Sequence, residues 1–194
     1  MPPEQAPGLF DAGWYRHARR RESPYFDARP ASAQVDLVVV HGISLPAGVF
    51  GTQHVDDLFM GRLDTAAHPD FAALKGLRVS AHFVVRRDGG LWQYVSCDQR
   101  AWHAGVSRFG ARERCNDFSV GIELEGCDEL AYEAAQYESL GALLGALLQA
   151  YPVRAIAGHS DVAPGRKTDP GPHFDWDFVR RASGLPRRAL PPFA

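Results

Sequence analysis

The sequence predicts an α/β fold, a central mixed β-sheet flanked by helices in a single domain. Three observations indicate this class: short apolar runs rich in β-branched residues, one long segment with apolar residues at helical spacing, and two apolar runs flanking a turn sequence. The 194 residues can enclose a core, and the hydrophobic fraction of 45% is ordinary for a globular domain. Because we find no internal repeat or low-complexity linker, we expect one domain with its chemistry on loops at strand ends.

The N-terminal region is predicted to be an extension of this domain. Residues 1–30 are rich in Pro and Arg, so we expect them to wrap the domain surface as loop. We assign residues 31–182 to the folded domain and residues 183–194 to a C-terminal tail. The first buried strand is predicted at residues 35–40, VDLVVV, and ends at His41.

The rest of the chain alternates between strand and helix patterns. Residues 79–95 predict a hairpin, because the runs VSAHFVV and LWQYV flank the turn sequence RDGG. Alternation predicts a strand at residues 119–125, in which Glu123 and Glu125 share one face. Helical spacing predicts an amphipathic helix over residues 132–150 that packs on the sheet. A last strand at residues 154–157 leads into His159.

Charge and composition exclude several classes of function. A formal charge of −2 gives no reason to expect nucleic acid or a membrane surface as a partner. No apolar run approaches the ~20 residues that span a bilayer, and the N-terminus does not resemble a secretory signal. Three cysteines at irregular spacing favour free thiols in a reducing compartment, so we expect the cytoplasm.

Two histidines stand at predicted strand ends and make a metal site conceivable. His41 ends the first strand, His159 follows the last, and Asp169 comes ten residues later in a loop stiffened by Pro and Gly. Two imidazoles and one carboxylate suit catalytic Zn²⁺, which keeps a fourth position for water. A histidine after a strand is nevertheless more often a structural residue, so spacing alone does not establish the site.

Spacing also leaves the identity of the third ligand open. Asp161 lies two residues after His159 and is as good a candidate as Asp169. Cys115 and Cys127 are soft alternatives. A thiol nucleophile is disfavoured, because no histidine lies within a few residues of either cysteine.

Five motifs carry a resemblance to a known family, from about residue 14 to residue 180: VVVHGISLPAG, LRVSAHFVVRRDG, QYVSCDQRAWHAGVS, ERCNDFSVGIELEGCDELAY and GHSDVAPGRKTDPGPHFDW. They resemble N-acetylmuramoyl-L-alanine amidases, in particular the cytoplasmic branch that acts on 1,6-anhydro muropeptides. Phage lysozyme-type amidases and peptidoglycan recognition proteins share this fold. The resemblance therefore implies that residues 31–182 are a zinc amidase domain.

The resemblance also implies the roles of individual residues. Zinc would be held by His41, His159 and Asp169, which returns Asp161 to the role of a loop residue that caps backbone N–H groups. Glu123 would be the acid/base, and Lys167 would be the catalytic lysine that stabilises the tetrahedral oxyanion together with the zinc. The residues implied as substrate contacts lie in the same motifs: Arg78, Trp102, His103, Arg114 and Asn116.

The implied reaction is zinc-dependent hydrolysis of the amide between 1,6-anhydro-N-acetylmuramic acid and L-alanine in recycled muropeptides. The expected partner is an anhydromuropeptide, and we expect a monomer. The sequence leaves two alternatives open. One is an amidase of broader specificity that acts on the intact wall, and the other is a peptidoglycan-binding module without catalysis.

Overall fold

The computed structural model describes residues 8–193 and places most of its regular structure around one sheet. The strands in chain order are β1 Phe10–Asp11, β2 Trp14–Tyr15, β3 Arg19–Arg20, β4 Phe26–Ala28, β5 Leu37–Ile43, β6 Phe83–Val85, β7 Leu91–Gln93, β8 Gln99–Ala101, β9 Arg108–Phe109, β10 Arg112–Glu113, β11 Ser119–Glu125 and β12 Ala155–Gly158. The α-helices are α1 His54–Phe59, α2 Ala134–Ala150, α3 His159–Val162 and α4 Trp176–Ser183. Short 3₁₀ helices occupy Pro69–Leu74, Cys115–Asp117 and Arg187–Ala189.

The central sheet has six strands in the order β12-β5-β11-β6-β7-β3. The four strands β12, β5, β11 and β6 are parallel, β7 is antiparallel to β6, and β3 is parallel to β7. The predicted mixed sheet is therefore confirmed. Its parallel part brings the carboxyl ends of β5, β11 and β12 to one edge, which is where side chains from separate strands can meet.

The two longest strands of this sheet are buried on both faces. All seven residues of β11 are buried, and so are the first five of β5. Near-continuous burial is typical of parallel strands covered by structure on each side, and the β-branched run of β5 suits it. In the register of this pair, Glu123 lies opposite His41, so both side chains point to the same face.

The opposite face of the sheet packs on α2. Leu140, Leu143, Leu144 and Leu147 are buried against an apolar cluster that includes Ile122. The N-cap residue of the helix is Glu133, whose backbone N–H donates to Oε1 of Gln136 at 3.0 Å, while the backbone N–H of Gln136 donates to the carbonyl oxygen of Glu133 at 3.0 Å. The amphipathic helix predicted over residues 132–150 is thus confirmed, beginning two residues later than expected.

Local expectations and structure differ at three places. The hairpin is present, but its strands are only three residues each, β6 and β7. Strand β5 continues through His41 to Ile43, because its pairing with β11 holds the backbone extended beyond the apolar run. The last strand is β12, shifted by one residue so that His159 begins α3.

The prediction of loop before residue 30 is wrong at four short strands, and residues 1–7 of the predicted loop lie outside the described residues. Residues 10–28 contain four strands of two or three residues, and β3 adds an edge strand to the central sheet. Strands of this length carry no periodic pattern, so their sequence gave no strand signal. Arg29 then ties the segment down, since its guanidinium donates to the backbone oxygens of Cys97, Asn116, Asp117 and Ser119.

Helices of the described chain are too short or too polar to cross a bilayer.

Candidate metal centre and active site

The side chains of His41, His159 and Asp169 converge at the carboxyl edge of the sheet. The Nδ1 atoms of the two imidazoles lie 2.9 Å apart. The Oδ2 atom of Asp169 lies 3.0 Å from Nδ1 of His159 and 3.2 Å from Nδ1 of His41. Within the part of the chain that the structure describes, these three form the one group of His, Cys, Asp or Glu side chains placed closely enough to hold a metal ion.

Backbone structure explains how three residues distant in sequence reach one point. Strands β5 and β12 are parallel neighbours, so His41 and His159 arrive at the same edge. The loop that carries Asp169 is pinned by two hydrogen bonds. The backbone N–H of Ser160 donates to the carbonyl oxygen of Asp169 at 2.9 Å, and the hydroxyl of Tyr132 donates to that of Pro170 at 2.8 Å.

The electrostatics of the cluster suit a cation. Burial lowers the pKa of His41 to about 4, so its imidazole is neutral at physiological pH. Burial alone would raise the pKa of Asp169, but hydrogen bonds with His159 and His41 hold that pKa below its usual value. The Nδ1 atoms of the two imidazoles face each other and cannot both carry a proton there. Two imidazole nitrogens and one carboxylate oxygen converging on a point are a donor set that fits a divalent metal ion.

Glu123 places a carboxyl group beside this cluster. Its Oε1 atom lies 3.9 Å from Nδ1 of His41, and its Oε2 atom is buried without a hydrogen-bond partner among the described residues. Burial, and next the charge of Asp169, raise the pKa of Glu123 well above its usual value, while Lys167 opposes that rise. A buried polar atom without a partner needs an explanation. A carboxyl that can take up and release a proton next to a reacting group provides one.

Glu125, on the same face of β11, has a structural environment instead. Its carboxylate accepts hydrogen bonds from the backbone N–H groups of Gly51 and Arg87 and pairs with the guanidinium of Arg86 at 3.3 Å. These contacts give Glu125 the role of a paired structural carboxylate, which leaves Glu123 as the candidate acid/base. They also hold the loop around residue 51 against the sheet.

Lys167 stands on the rim of the site. Its side chain is exposed, and it lines an open cleft of about 340 Å³ together with Asp169, Gly42 and Cys127. The backbone N–H of Lys167 donates to the carbonyl oxygen of Ala163, which sets the direction of the loop. The charge of Lys167 acts on both Glu123 and His41, as their pKa shifts show.

The alternative ligands considered from spacing lie elsewhere. The Oδ2 atom of Asp161 accepts a hydrogen bond from the backbone N–H of Gly158 at 2.7 Å, so Asp161 caps the start of α3 as expected. Cys115 is buried in an apolar cluster with Leu37 and Val39. Cys127 is a partly buried free thiol on the cleft wall. None of the three belongs to the ligand cluster.

Three of the predicted substrate contacts lie on accessible surface. Arg78 is exposed on a cavity wall shared with Tyr25. Arg114 is exposed beside a second cavity and pairs with Asp117 at 3.4 Å. Trp102 is partly buried; it stacks on Tyr25 with ring centroids 6.2 Å apart. Their contact with substrate stays a prediction.

The other two, His103 and Asn116, have their polar atoms engaged by the protein. The ring nitrogens of His103 lie 2.9 Å from Nε2 of His41 and 3.2 Å from the hydroxyl of Ser119. The Oδ1 atom of Asn116 accepts from the backbone N–H groups of His103 and Ala104. Sequence reasoning missed Ser119 and Ala104. Ala104 acts through its backbone carbonyl, for which no side-chain signal exists.

The carboxyl edge of the sheet presents two imidazoles, a carboxylate and a neighbouring buried carboxyl. This arrangement places the protein in the class of hydrolases whose site could hold a metal ion. The particular family follows from comparison with known sequences. This chain belongs to the N-acetylmuramoyl-L-alanine amidase family, whose model matches residues 31–172. It is therefore an amidase, and the reading as a non-catalytic peptidoglycan-binding module falls away.

Individual relatives agree with this assignment. The chain is 57% identical over 174 residues to the 1,6-anhydro-N-acetylmuramyl-L-alanine amidase AmpD of Citrobacter freundii, with 89% of this chain and 93% of that protein covered. It matches a crystal structure of a selenomethionine derivative of AmpD with a TM-score of 0.86 at 55% identity, covering 90% of this chain and 98% of that one. A human peptidoglycan recognition protein, with a TM-score of 0.54 at 19% identity over 88% of this chain and 92% of its own, shares the fold alone.

Proposed function

We propose that this chain hydrolyses the amide bond between 1,6-anhydro-N-acetylmuramic acid and L-alanine in muropeptides of cell-wall recycling, with one zinc ion as cofactor. The observation that carries the proposal is the convergence of His41, His159 and Asp169 within hydrogen-bond distance of one another. Two imidazoles and one carboxylate are the donor set of catalytic zinc sites. The 57% identity to a relative named for this activity supports the substrate.

The residues around the cluster have separate tasks in this reaction. A bound zinc ion supplies Lewis acidity, which lowers the pKa of water and polarises the scissile carbonyl. Glu123 takes the proton of the attacking water on a carboxylate oxygen that has no protein partner, and delivers it to the departing amine of L-alanine. Lys167, on the cleft wall, stabilises the negative charge that develops on the carbonyl oxygen.

The substrate is anionic and carries a sugar, and accessible basic and aromatic side chains in the matched motifs suit both properties. The guanidinium groups of Arg78 and Arg114 are exposed and would bind carboxylates of the peptide stem. Trp102 would offer an indole surface to the sugar.

We further propose that residues 31–182 carry the catalytic machinery, wrapped by an extension at 1–30 and followed by a tail at 183–194; residues 1–7 and 194 of these two segments lie outside the described residues. A monomer in the cytoplasm is the simplest working form. The three free cysteines, two of them buried, support a reducing compartment.

The decisive experiment combines metal removal with identification of the product. The chain is stripped of metal by a chelator and assayed on anhydro-N-acetylmuramyl tripeptide, with the released peptide identified by mass spectrometry. We expect activity to vanish and to return with one equivalent of zinc. A folded, metal-free chain that hydrolyses the substrate at the original rate would overturn the zinc proposal. A faster reaction on intact sacculi than on the tripeptide would instead indicate a broader amidase.

A further inference from the structure

One short segment of the chain faces the back of both proposed metal-ligand imidazoles. The Nε2 atom of His41 lies 2.9 Å from Nδ1 of His103. The Nε2 atom of His159 lies 3.3 Å from the backbone oxygen of Ala104. His103 and Ala104 are consecutive residues, so a single dipeptide contacts the ligands that arrive on two different strands.

The positions of the protons follow from the direction in which each ring points. The Nδ1 atoms of His41 and His159 face Asp169, so the metal-binding form of each ring carries its proton on Nε2. His41 then donates to Nδ1 of His103, which must be unprotonated. His103 is left with its proton on Nε2 and donates it to the hydroxyl of Ser119 at 3.2 Å. His159 donates to the carbonyl oxygen of Ala104.

Two further side chains hold the His103–Ala104 dipeptide in place. The Oδ1 atom of Asn116 accepts hydrogen bonds from the backbone N–H of His103 at 3.2 Å and from that of Ala104 at 2.8 Å. The guanidinium of Arg166 donates to the carbonyl oxygen of Ala104 at 2.8 Å. The Oδ1 atom of Asn116 therefore fixes the position of the segment that contacts both proposed ligands.

The sheet also leaves space for this arrangement. Gly121, in the middle of β11, lies directly against the imidazole of His103. A Cβ atom at Gly121 would stand 2.4 Å from Cγ of His103, well inside van der Waals contact. The glycine lets the ring lie close to the strand, where it reaches both Ser119 and His41.

We propose that His103, the carbonyl of Ala104 and Asn116 form a positioning platform for the metal ligands, with His103 fixing the proton of His41 on Nε2. His103 and Asn116 thus act through the metal ligands instead of contacting substrate. The inference rests on the proposed zinc site and assigns groups behind it. Partners of this kind change metal affinity by about 10–100-fold when they are removed.

The test measures the zinc dissociation constant of each variant by competition with a chromophoric chelator. His103→Leu removes the acceptor for His41, and Asn116→Leu removes the acceptor for the dipeptide. We expect each to weaken zinc binding by about 10–100-fold. His103→Asn and Asn116→Asp keep an oxygen near the lost acceptor, so we expect them to recover at least part of that loss. The Asn116 pair tests the platform independently, should His103→Leu fail to fold.

His82 provides the matched control. Its ring packs 5.7 Å from that of His103, and its Nδ1 accepts from the backbone N–H of Gly121, but it contacts neither ligand. We expect His82→Leu to lower the melting temperature and to leave the zinc dissociation constant within about 3-fold, since it removes no partner of a ligand. If His82→Leu lost as much zinc affinity as His103→Leu, the effect of both variants would be explained by general packing, and the inference would be overturned.

Imidazole ¹⁵N spectra of the zinc-loaded wild type give a readout of proton position. We expect His41 and His103 both to be protonated at Nε2, with Nδ1 of His103 unprotonated. A proton on Nδ1 of His103, or folded His103→Leu and Asn116→Leu variants that bind zinc as tightly as the wild type, would overturn the platform alone. A folded wild-type chain that binds no zinc would overturn the metal site itself.

Discussion

At the scale of single residues, Glu123 is the side chain whose environment is hardest to explain without catalysis. Its Oε2 atom is buried without a partner, 8% of the residue is exposed, and it lies next to the ligand cluster. We expect Glu123→Gln to lower kcat by about 10²–10⁴-fold, because the amide cannot move a proton. Zinc content should remain one per chain, measured by elemental analysis on the same sample. Near-wild-type turnover of Glu123→Gln would show that another group moves the proton.

Asp161 and Asp169 both follow His159, but we expect them to have different roles, Asp169 as a metal ligand and Asp161 as a helix cap. We expect Asp169→Ala to lose both zinc and activity, because the cluster keeps only two donors. The matched control is Asp161→Ala, which removes the acceptor for the backbone N–H of Gly158. It should cost about 1 kcal/mol of unfolding free energy and leave zinc bound. Equal loss of zinc in both variants would mean that the whole loop, and not one carboxylate, holds the metal.

For single residues, the sequence predicts which side chains carry the chemistry better than it predicts where each side chain points. The motifs identified His41, His159, Asp169 and Glu123 as a set, but spacing alone left Asp161 open. That choice is made by tertiary contacts, such as the hydrogen bond from Ser160 to the backbone of Asp169, which have no local signature. The same limit applies to His103, since a motif does not reveal whether a side chain points into the cleft or behind a ligand.

At the scale of elements, β11 and α2 were predictable because their patterns are long. The seven residues of β11 and the seventeen of α2 each repeat their apolar period several times. The strands between residues 10 and 28 span two or three residues and exist only through their partners. The extension of β5 beyond its apolar run has the same origin, since pairing with β11 decides it.

Strand β11 also offers a test of how closely an element must approach the site. Gly121→Ala places a Cβ atom 2.4 Å from Cγ of His103, and the contacts of that ring with His41 and Ser119 oppose its movement. We expect a loss of about 1–3 kcal/mol of unfolding free energy from this overpacking. Weaker zinc binding should accompany it. Denaturant titration and chelator competition on the same protein measure the two effects.

The control for that substitution is a glycine in a helix. Gly145 lies within α2, and a Cβ atom there would meet no atom within 4 Å. We expect Gly145→Ala to raise the unfolding free energy by about 0.5–1 kcal/mol, because alanine loses less backbone entropy in a helix. If Gly121→Ala were equally stabilising, the close approach of His103 to β11 would be wrong.

At the scale of the whole molecule, the N-terminal segment is joined to the site through the segment that follows β10. Arg29 donates from Nη1 to the backbone oxygens of Asn116 and Asp117 and from Nη2 to that of Ser119, at 2.8–3.1 Å. Asn116 and Ser119 are residues that hold the dipeptide and the ring of His103. The segment before residue 30 therefore supports the floor of the metal centre, although the matched family model begins at residue 31.

Because of these hydrogen bonds, we expect a substitution at Arg29 to lower the unfolding free energy of the whole domain. Arg29→Met leaves several backbone carbonyls without their charged donor, and hydrogen bonds of this kind contribute about 1.5–3 kcal/mol each. We expect a loss of at least about 2 kcal/mol of unfolding free energy, seen as a lower midpoint in denaturant. Arg29→Lys should recover little of it, because one ammonium group cannot reproduce the planar fork of the guanidinium. The exposed Arg154 is the control, and Arg154→Met should stay within about 0.5 kcal/mol of the wild type. Equal stabilities for Arg29→Met and Arg154→Met would mean that the N-terminal segment covers the domain without supporting it.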